Sequence, residues 1–163
     1  MDRTKASGPA PGLRRAHDDD ADAIGRLVAA AYGHYAPLIG RTPIPMLTDY
    51  AVAVREHEVW VLDADGEIVG VIELALRDDH LWIENVAIAP ELQGQGLGRR
   101  LLEHAETEAR RYERPELRLL TNERYARNLA LYARNGYRET HREPYQGTDL
   151  VYFAKPVDAL TGT

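Results

Sequence analysis

Val86-Ala87-Ile88-Ala89-Pro90-Glu91-Leu92-Gln93-Gly94-Gln95-Gly96-Leu97-Gly98-Arg99-Arg100-Leu101-Leu102 decides the fold of this chain. An apolar run of strand type meets a proline-marked turn, then a glycine-rich bend, then a helix. Leu97, Leu101, Ala105 and Ala109 give that helix one apolar face. A bend of this kind leaves several backbone N–H groups free at the positive end of a helix, which suits a phosphate. The same glycines would also serve a loop that needs only turn geometry.

Two familiar phosphate loops are tested first. A P-loop requires Lys and then Ser or Thr at the helix start. Here Gly98 is followed by Arg99-Arg100, so a nucleoside triphosphate site is excluded. The dinucleotide fingerprint requires Gly-x-Gly-x-x-Gly and an acidic residue closing the next parallel strand. Gly94, Gly96 and Gly98 are each two apart, and the next strand, Leu117 to Leu120, runs into Thr121-Asn122. That pattern does not fit.

Gln93-Gly94-Gln95-Gly96-Leu97-Gly98 resembles the Gln/Arg-x-x-Gly-x-Gly/Ala signature of the GNAT superfamily, the acyl-CoA-dependent N-acyltransferases. A second segment, Asn128-Leu129-Ala130-Leu131-Tyr132-Ala133-Arg134-Asn135-Gly136-Tyr137, resembles that family's Asn…Tyr…Gly-Tyr pattern, with Ala130 one position from the usual small residue. The resemblance spans about Leu13 to Lys155. It implies a mixed α/β (α+β) GNAT fold: a central, mostly antiparallel mixed sheet with a splayed strand pair and flanking helices.

The surrounding sequence agrees with that architecture. Asp18-Asp19-Asp20 offers an acidic helix start, and Ile24, Leu27, Val28, Ala31 and Tyr35 recur at helical spacing. Pro37 to Pro45 is broken by prolines and Gly40, and a second helix is expected over about Met46 to Arg55. Strands are expected at Leu13–Ala16, Glu58–Leu62, Ile68–Leu76, Leu81–Ile88 and Leu117–Leu120, with Asp63-Ala64-Asp65-Gly66 as a hairpin turn. A last helix carries Ala126, Leu129, Ala130 and Ala133 as its expected core face and stops at Gly136. Tyr137–His141 and Asp149–Ala154 close the sheet. The expected domain is residues 13–155, between a disordered leader (1–12) and a loose tail (156–163).

Composition narrows the function. With 163 residues there is enough chain for one proper core. A net charge of −6 argues against a general nucleic-acid binder, whose phosphate contacts need surplus Lys and Arg. Cysteine is absent, which removes disulfides, thiolate metal sites and a cysteine nucleophile. There is no membrane-length apolar run and no secretory h-region in the leader, so a cytoplasmic location is expected. No His/Asp/Glu grouping shows metal-ligand spacing, so no metal is expected.

Acyl transfer from a thioester to an amine needs a base for the amine, a donor for the carbonyl oxygen, and help for the departing thiolate. The resemblance makes Tyr132 the thiolate's proton donor and Asn128 a contact to the cofactor arm. Alone, Tyr132 would read as an amphipathic residue packing at the surface with its hydroxyl in water. Glu84 is the candidate base: strand alternation sets it between Trp82 and Val86, where lost solvation would raise its pKa. It could instead reach solvent or pair with an Arg, and Glu73 is the alternative. The resemblance further implies acetyl-CoA, its pantetheine along Val86, Ala87 and Ile88 and its diphosphate on the N–H groups of Gln93, Gly94, Gln95, Gly96, Leu97 and Gly98. Gln95 occupies the family's second basic position, and Arg99 or Arg100 would supply the missing charge. The acceptor, a small-molecule or peptide amine, would sit near Tyr32, Tyr35, Arg41 and Tyr50. Arg41 would pair either with a substrate carboxylate or within a structural salt bridge. A homodimer is a further expectation from the resemblance. A non-catalytic acyl-CoA sensor on the same fold is the alternative function.

Overall fold

A computed structural model describes residues 10–158. Most of the leader and the end of the tail lie outside those residues. Seven strands form one sheet in the order β1-β2-β3-β4-β5-β7-β6. They are β1 (Gly12–Arg15), β2 (Glu58–Ala64), β3 (Glu67–Leu76), β4 (Leu81–Ile88), β5 (Glu116–Asn122), β6 (Arg138–Tyr145) and β7 (Thr148–Pro156). Every neighbouring pair is antiparallel except β4–β5. The helices are α1 (Ala21–Tyr32), a four-residue α2 (Ala36–Ile39), α3 (Tyr50–Glu56), α4 (Leu97–Arg111) and α5 (Ala126–Arg134).

Turn chemistry fixes the hairpins. Asp65 and Gly66 both hold positive φ (54° and 91°), giving a two-residue loop whose twist suits the flanking strands. The turn is therefore tighter than the four residues expected, and β2 continues through Ala64. Gln146-Gly147 repeats the device between β6 and β7, at φ 50° and 90°. α3 starts at Tyr50, later than expected, because the Asp49 carboxylate caps it by accepting from the N–H groups of Ala51 and Val52. Strand β1 takes in Gly12. At the other end Val157 packs into the core and donates its N–H to Pro115 O at 2.8 Å.

α3 and α4 lie on opposite faces of the sheet. Trp60 on β2 meets His104 of α4, whereas Glu73 on β3, which follows the Trp60 partner Ile72, turns to His57 at the end of α3. The expected stripes of α1 and α4 are buried: Ile24, Leu27, Val28 and Ala31 on one side, Leu97, Leu101, Ala105 and Ala109 on the other. Leu101 is fully buried among them. Leu101→Ala removes three carbons from a site walled by regular structure and should cost about 2–5 kcal/mol. The urea midpoint should fall with an unchanged slope.

α5 corrects the expectation. Ala126, Ala130 and Ala133 are exposed and Leu129 is half-buried, while Tyr132 is buried and Tyr125 lies just ahead as the N-cap. The inward face is the Tyr125–Asn128–Tyr132 face. Aromatic rings bury far more area than alanine methyls, so they set the rotation of the helix. Its end is as expected. Gly136 adopts φ 90°, Tyr137 N–H returns to Tyr132 O at 3.0 Å, and Gly136 N–H returns to Ala133 O at 3.3 Å. That is a Schellman closure, with the Tyr132 and Tyr137 rings packed at 5.8 Å.

Candidate active site

β4 and β5 pair only at Leu81, Trp82 and Ile83; beyond that they separate. The register of β3 against β4 explains the parting. Glu73 pairs with Asn85 and Leu74 with Ile83, so Glu84 is an extra residue on β4. Such a bulge bends its strand and breaks the alternation of side chains. Glu84 is consequently exposed, its carboxylate 3.3 Å from Arg77, and not enclosed by apolar neighbours as the alternation had suggested.

The wedge between the parted strands is lined by β4 peptide groups. Val86 O accepts from the Tyr32 hydroxyl at 3.0 Å, and Ile88 O accepts from Gln93 Nε2 at 3.1 Å. Residues two apart on a strand turn their peptide groups to one side, so both face away from β3 and toward the opening. Gln93 thus ties the end of β4 to the bend that follows.

In the bend Gly94 and Gly96 hold φ 85° and 87°, and a Cβ at either would meet nothing within 4 Å. Glycine is required there by backbone conformation. Gly98 differs: a Cβ would lie 3.2 Å from Leu131, so its role is the close approach of α5 to α4. The Gln93 N–H bonds to Pro90 O at 3.4 Å and is not free, contrary to expectation. The next six N–H groups, Gly94 to Arg99, have no partner among the described residues, and no side chain caps α4. Gly94, Gly96, Gly98 and Arg99 line one cleft, and unpaired amides at a positive helix end can hold an anion.

The cradle opens onto a cleft of about 640 Å³ running past Val86, Ala87 and Ile88 to α1 and α5. Arg99, Arg127 and Arg134 line it, a local positive rim on an acidic chain. Arg100 is turned away, bonding Pro11 O at 2.7 Å, so Arg99 alone of that pair stands at the cleft. Arg127 and Arg134 went unread in the sequence; their spacing of seven, which repeats one helical face across Asn128 and Leu131, was the available signal.

A second cavity, of about 60 Å³, lies beyond a partition. Tyr32 and Asn128 line both cavities. They are joined by Asn128 Nδ2 donating to Tyr32 Oη at 3.0 Å, which ties α1, β4 and α5 together at the mouth of the wedge. The sequence suggested Tyr32 only as an acceptor-pocket aromatic; its bond to β4 depends on tertiary packing. Tyr132, Glu84, Asn85, Arg41 and Tyr125 line the small cavity. The Tyr132 hydroxyl has no partner among the described residues, and burial pushes its pKa well above the usual phenol value. It stays protonated across any physiological pH.

The remaining expected acceptor residues fall elsewhere. Tyr35 lines the large cleft, stacked on Tyr125 at 4.4 Å. Tyr50 is buried behind the small cavity, donating to Pro45 O at 2.8 Å and accepting from Asn85 Nδ2 at 3.1 Å. Glu73 is buried and bonded to His57 Nδ1 at 2.6 Å; burial raises its pKa, and the bond to His57 opposes that. It lines neither cavity. Among the described residues no group of three His, Asp or Glu could hold a metal, and no helix is long and apolar enough to cross a membrane.

A parted parallel pair, an uncapped amide cradle and a cleft between them define a class: α/β proteins that hold a phosphorylated, elongated ligand across a splayed sheet. Residues 55–139 match the acetyltransferase (GNAT) domain model, and the chain belongs to that family. Over 84 residues it is 34% identical to an aminoalkylphosphonate N-acetyltransferase of Salmonella typhimurium, covering 47% of this chain and 54% of that protein. The chain thus matches about half the length of that relative. The same fold occurs in the ribosomal-protein-S18-alanine N-acetyltransferase of Escherichia coli (TM-score 0.69, 21% identity, 93% of this chain and 96% of that one). It also occurs in the PaiA N-acetyltransferase of Thermoplasma acidophilum, solved with coenzyme A (TM-score 0.72, 17% identity, 89% and 98%).

Proposed function

We propose that the protein transfers an acetyl group from acetyl-CoA to a primary amine by direct attack. The observation that carries this reading is the run of six unpartnered amides, Gly94 to Arg99, at the mouth of a cleft that follows β4 to the Tyr32–Asn128 partition. A diphosphate fits that cradle, since each amide otherwise lacks an acceptor. Arg99, Arg127 and Arg134 add charge along the same path. Acetyl-CoA supplies an activated thioester when bound; family membership and a coenzyme A complex among proteins of this fold support that identity.

The chain's own groups then divide the work. The parted β4 presents the N–H groups of Val86 and Ile88 toward the cofactor arm, their carbonyls being engaged by Tyr32 and Gln93. Tyr132, protonated by virtue of its burial, donates to the departing thiolate. Glu84 is the carboxylate that lines the small cavity and takes the amine proton; Glu73, enclosed against His57, does not reach it. The acceptor enters the small cavity on the far side of the partition. Relatives named for a small aminoalkylphosphonate and for a protein alanine support an amine acceptor without choosing its size.

Thiol release from acetyl-CoA across a panel of amines tests this directly. Turnover that requires the amine supports the transferase. Tight coenzyme A binding with no amine-dependent release anywhere in the panel would instead favour a non-catalytic acyl-CoA sensor.

A further inference from the structure

Five side-chain atoms among the described residues are buried without a hydrogen-bond partner: Arg41 Nε and Nη2, Asn85 Oδ1, His104 Nε2 and Tyr137 Oη. Three of them belong to residues lining one small cavity, the proposed acceptor pocket. A buried polar group left unpaired costs about 1–3 kcal/mol, more when it is charged, and such groups cluster where a ligand completes them.

The three atoms form a complementary set. Tyr50 has committed its only proton to Pro45 O, so it receives Nδ2 of Asn85 and fixes that amide with Oδ1 as a free acceptor. Asn85 itself is 6% exposed. Arg41 follows Gly40, whose φ of 75° ends α2, and its guanidinium lies over the Tyr145 ring at 4.9 Å. No carboxylate pairs with Arg41 among the described residues, which removes the structural salt bridge that the sequence left open. Its two unpartnered nitrogens are those of a single guanidinium edge, where two N–H bonds run parallel. That edge matches the two oxygens of a carboxylate or phosphonate.

We propose that the acceptor is a short amine bearing an oxyanion, with an amine N–H on Asn85 Oδ1 and the oxyanion on the Nε–Nη2 edge of Arg41. The inference rests on the transferase reading. A cavity of about 60 Å³ suits a skeleton of amino-acid size. Glu84 and Arg41 both line this pocket, so its wall carries one side chain of each charge, as an amine bearing an oxyanion requires. Ile44 and Pro45 also line the pocket, and the Tyr50 bond to Pro45 O holds their turn in place.

The test measures thiol release at saturating acetyl-CoA with matched amines: α-, β- and γ-amino carboxylates, the corresponding aminophosphonates, and the same amines without the anion. At least one anion-bearing series should exceed its neutral partners in kcat/KM by on the order of 100-fold, the worth of a charge-assisted bidentate contact. The carboxylate and phosphonate arms tell which oxyanion is taken. Arg41→Gln should erase that preference by raising KM for the anionic acceptor, and Arg41→Lys should restore it only partly. Unchanged coenzyme A affinity in calorimetry certifies the folded variants. Neutral amines turned over as well as their anionic partners would overturn the inference while leaving the transferase intact. Equal loss on neutral and anionic acceptors in Arg41→Gln would do the same. No release with any amine would count against the transferase itself.

Discussion

Gly96→Glu should abolish coenzyme A binding, lowering affinity at least about 100-fold by calorimetry while the protein stays folded. Two effects combine. Gly96 holds φ 87°, where any other residue is strained by about 1–2 kcal/mol. A Cβ there meets nothing within 4 Å, so steric damage to the fold is absent and the melting temperature should drop only a few degrees. The carboxylate, in contrast, arrives among the unpartnered amides of Gly94 to Arg99, competes for them and repels a diphosphate. Gly96→Ala separates the two effects, since it carries the strain without the charge. It should bind coenzyme A far better than the glutamate variant. Equal affinities for Gly96→Glu and the unaltered protein would remove the loop from the cofactor site.

Tyr132→Phe should lower kcat about 10- to 100-fold and leave KM for acetyl-CoA nearly unchanged. The effect falls at or below the bottom of the usual range for general-acid catalysis because a thiolate leaves tolerably without assistance. The hydroxyl makes no hydrogen bond to the described residues, and the ring's contacts with Tyr137 and Phe153 survive the change. Stability should therefore not fall, and a loss of rate would be chemical in origin. Burial holds the phenol protonated well beyond its ordinary range, so the donor is intact throughout. The kcat of the unaltered protein should accordingly show no alkaline decline assignable to this group below about pH 10. An unchanged kcat in Tyr132→Phe would strip the residue of its acid role.

The unpaired amides of the bend are legible in the sequence because they depend on local events: glycines at positive φ, a helix start and the strand before them. What escaped depended on contacts between distant segments. The bulge at Glu84 arises from its register against Glu73 and Leu74 on β3, and no alternation pattern within β4 announces it. The recurring Ala126, Ala130 and Ala133 point to the wrong face of α5, because Tyr125 and Tyr132 carry the burial. The sequence leaves Arg41 structural or ligand-binding, and only the tertiary structure shows that no carboxylate pairs with it among the described residues. Position in sequence puts Tyr50 at the acceptor and makes Glu73 the alternative base. The fold puts Tyr50 behind Asn85 as a positioning group and closes Glu73 against His57.

Coenzyme A binding depends on the amides that precede and open α4. Backbone amide spectra of isotopically labelled protein, titrated with coenzyme A, address them one by one. The N–H resonances of Gly94, Gln95, Gly96, Leu97, Gly98 and Arg99 should move together and saturate with the cofactor, in the direction expected for new hydrogen bonds to an anion. Saturable binding that shifts other resonances and leaves these six in place would contradict the account.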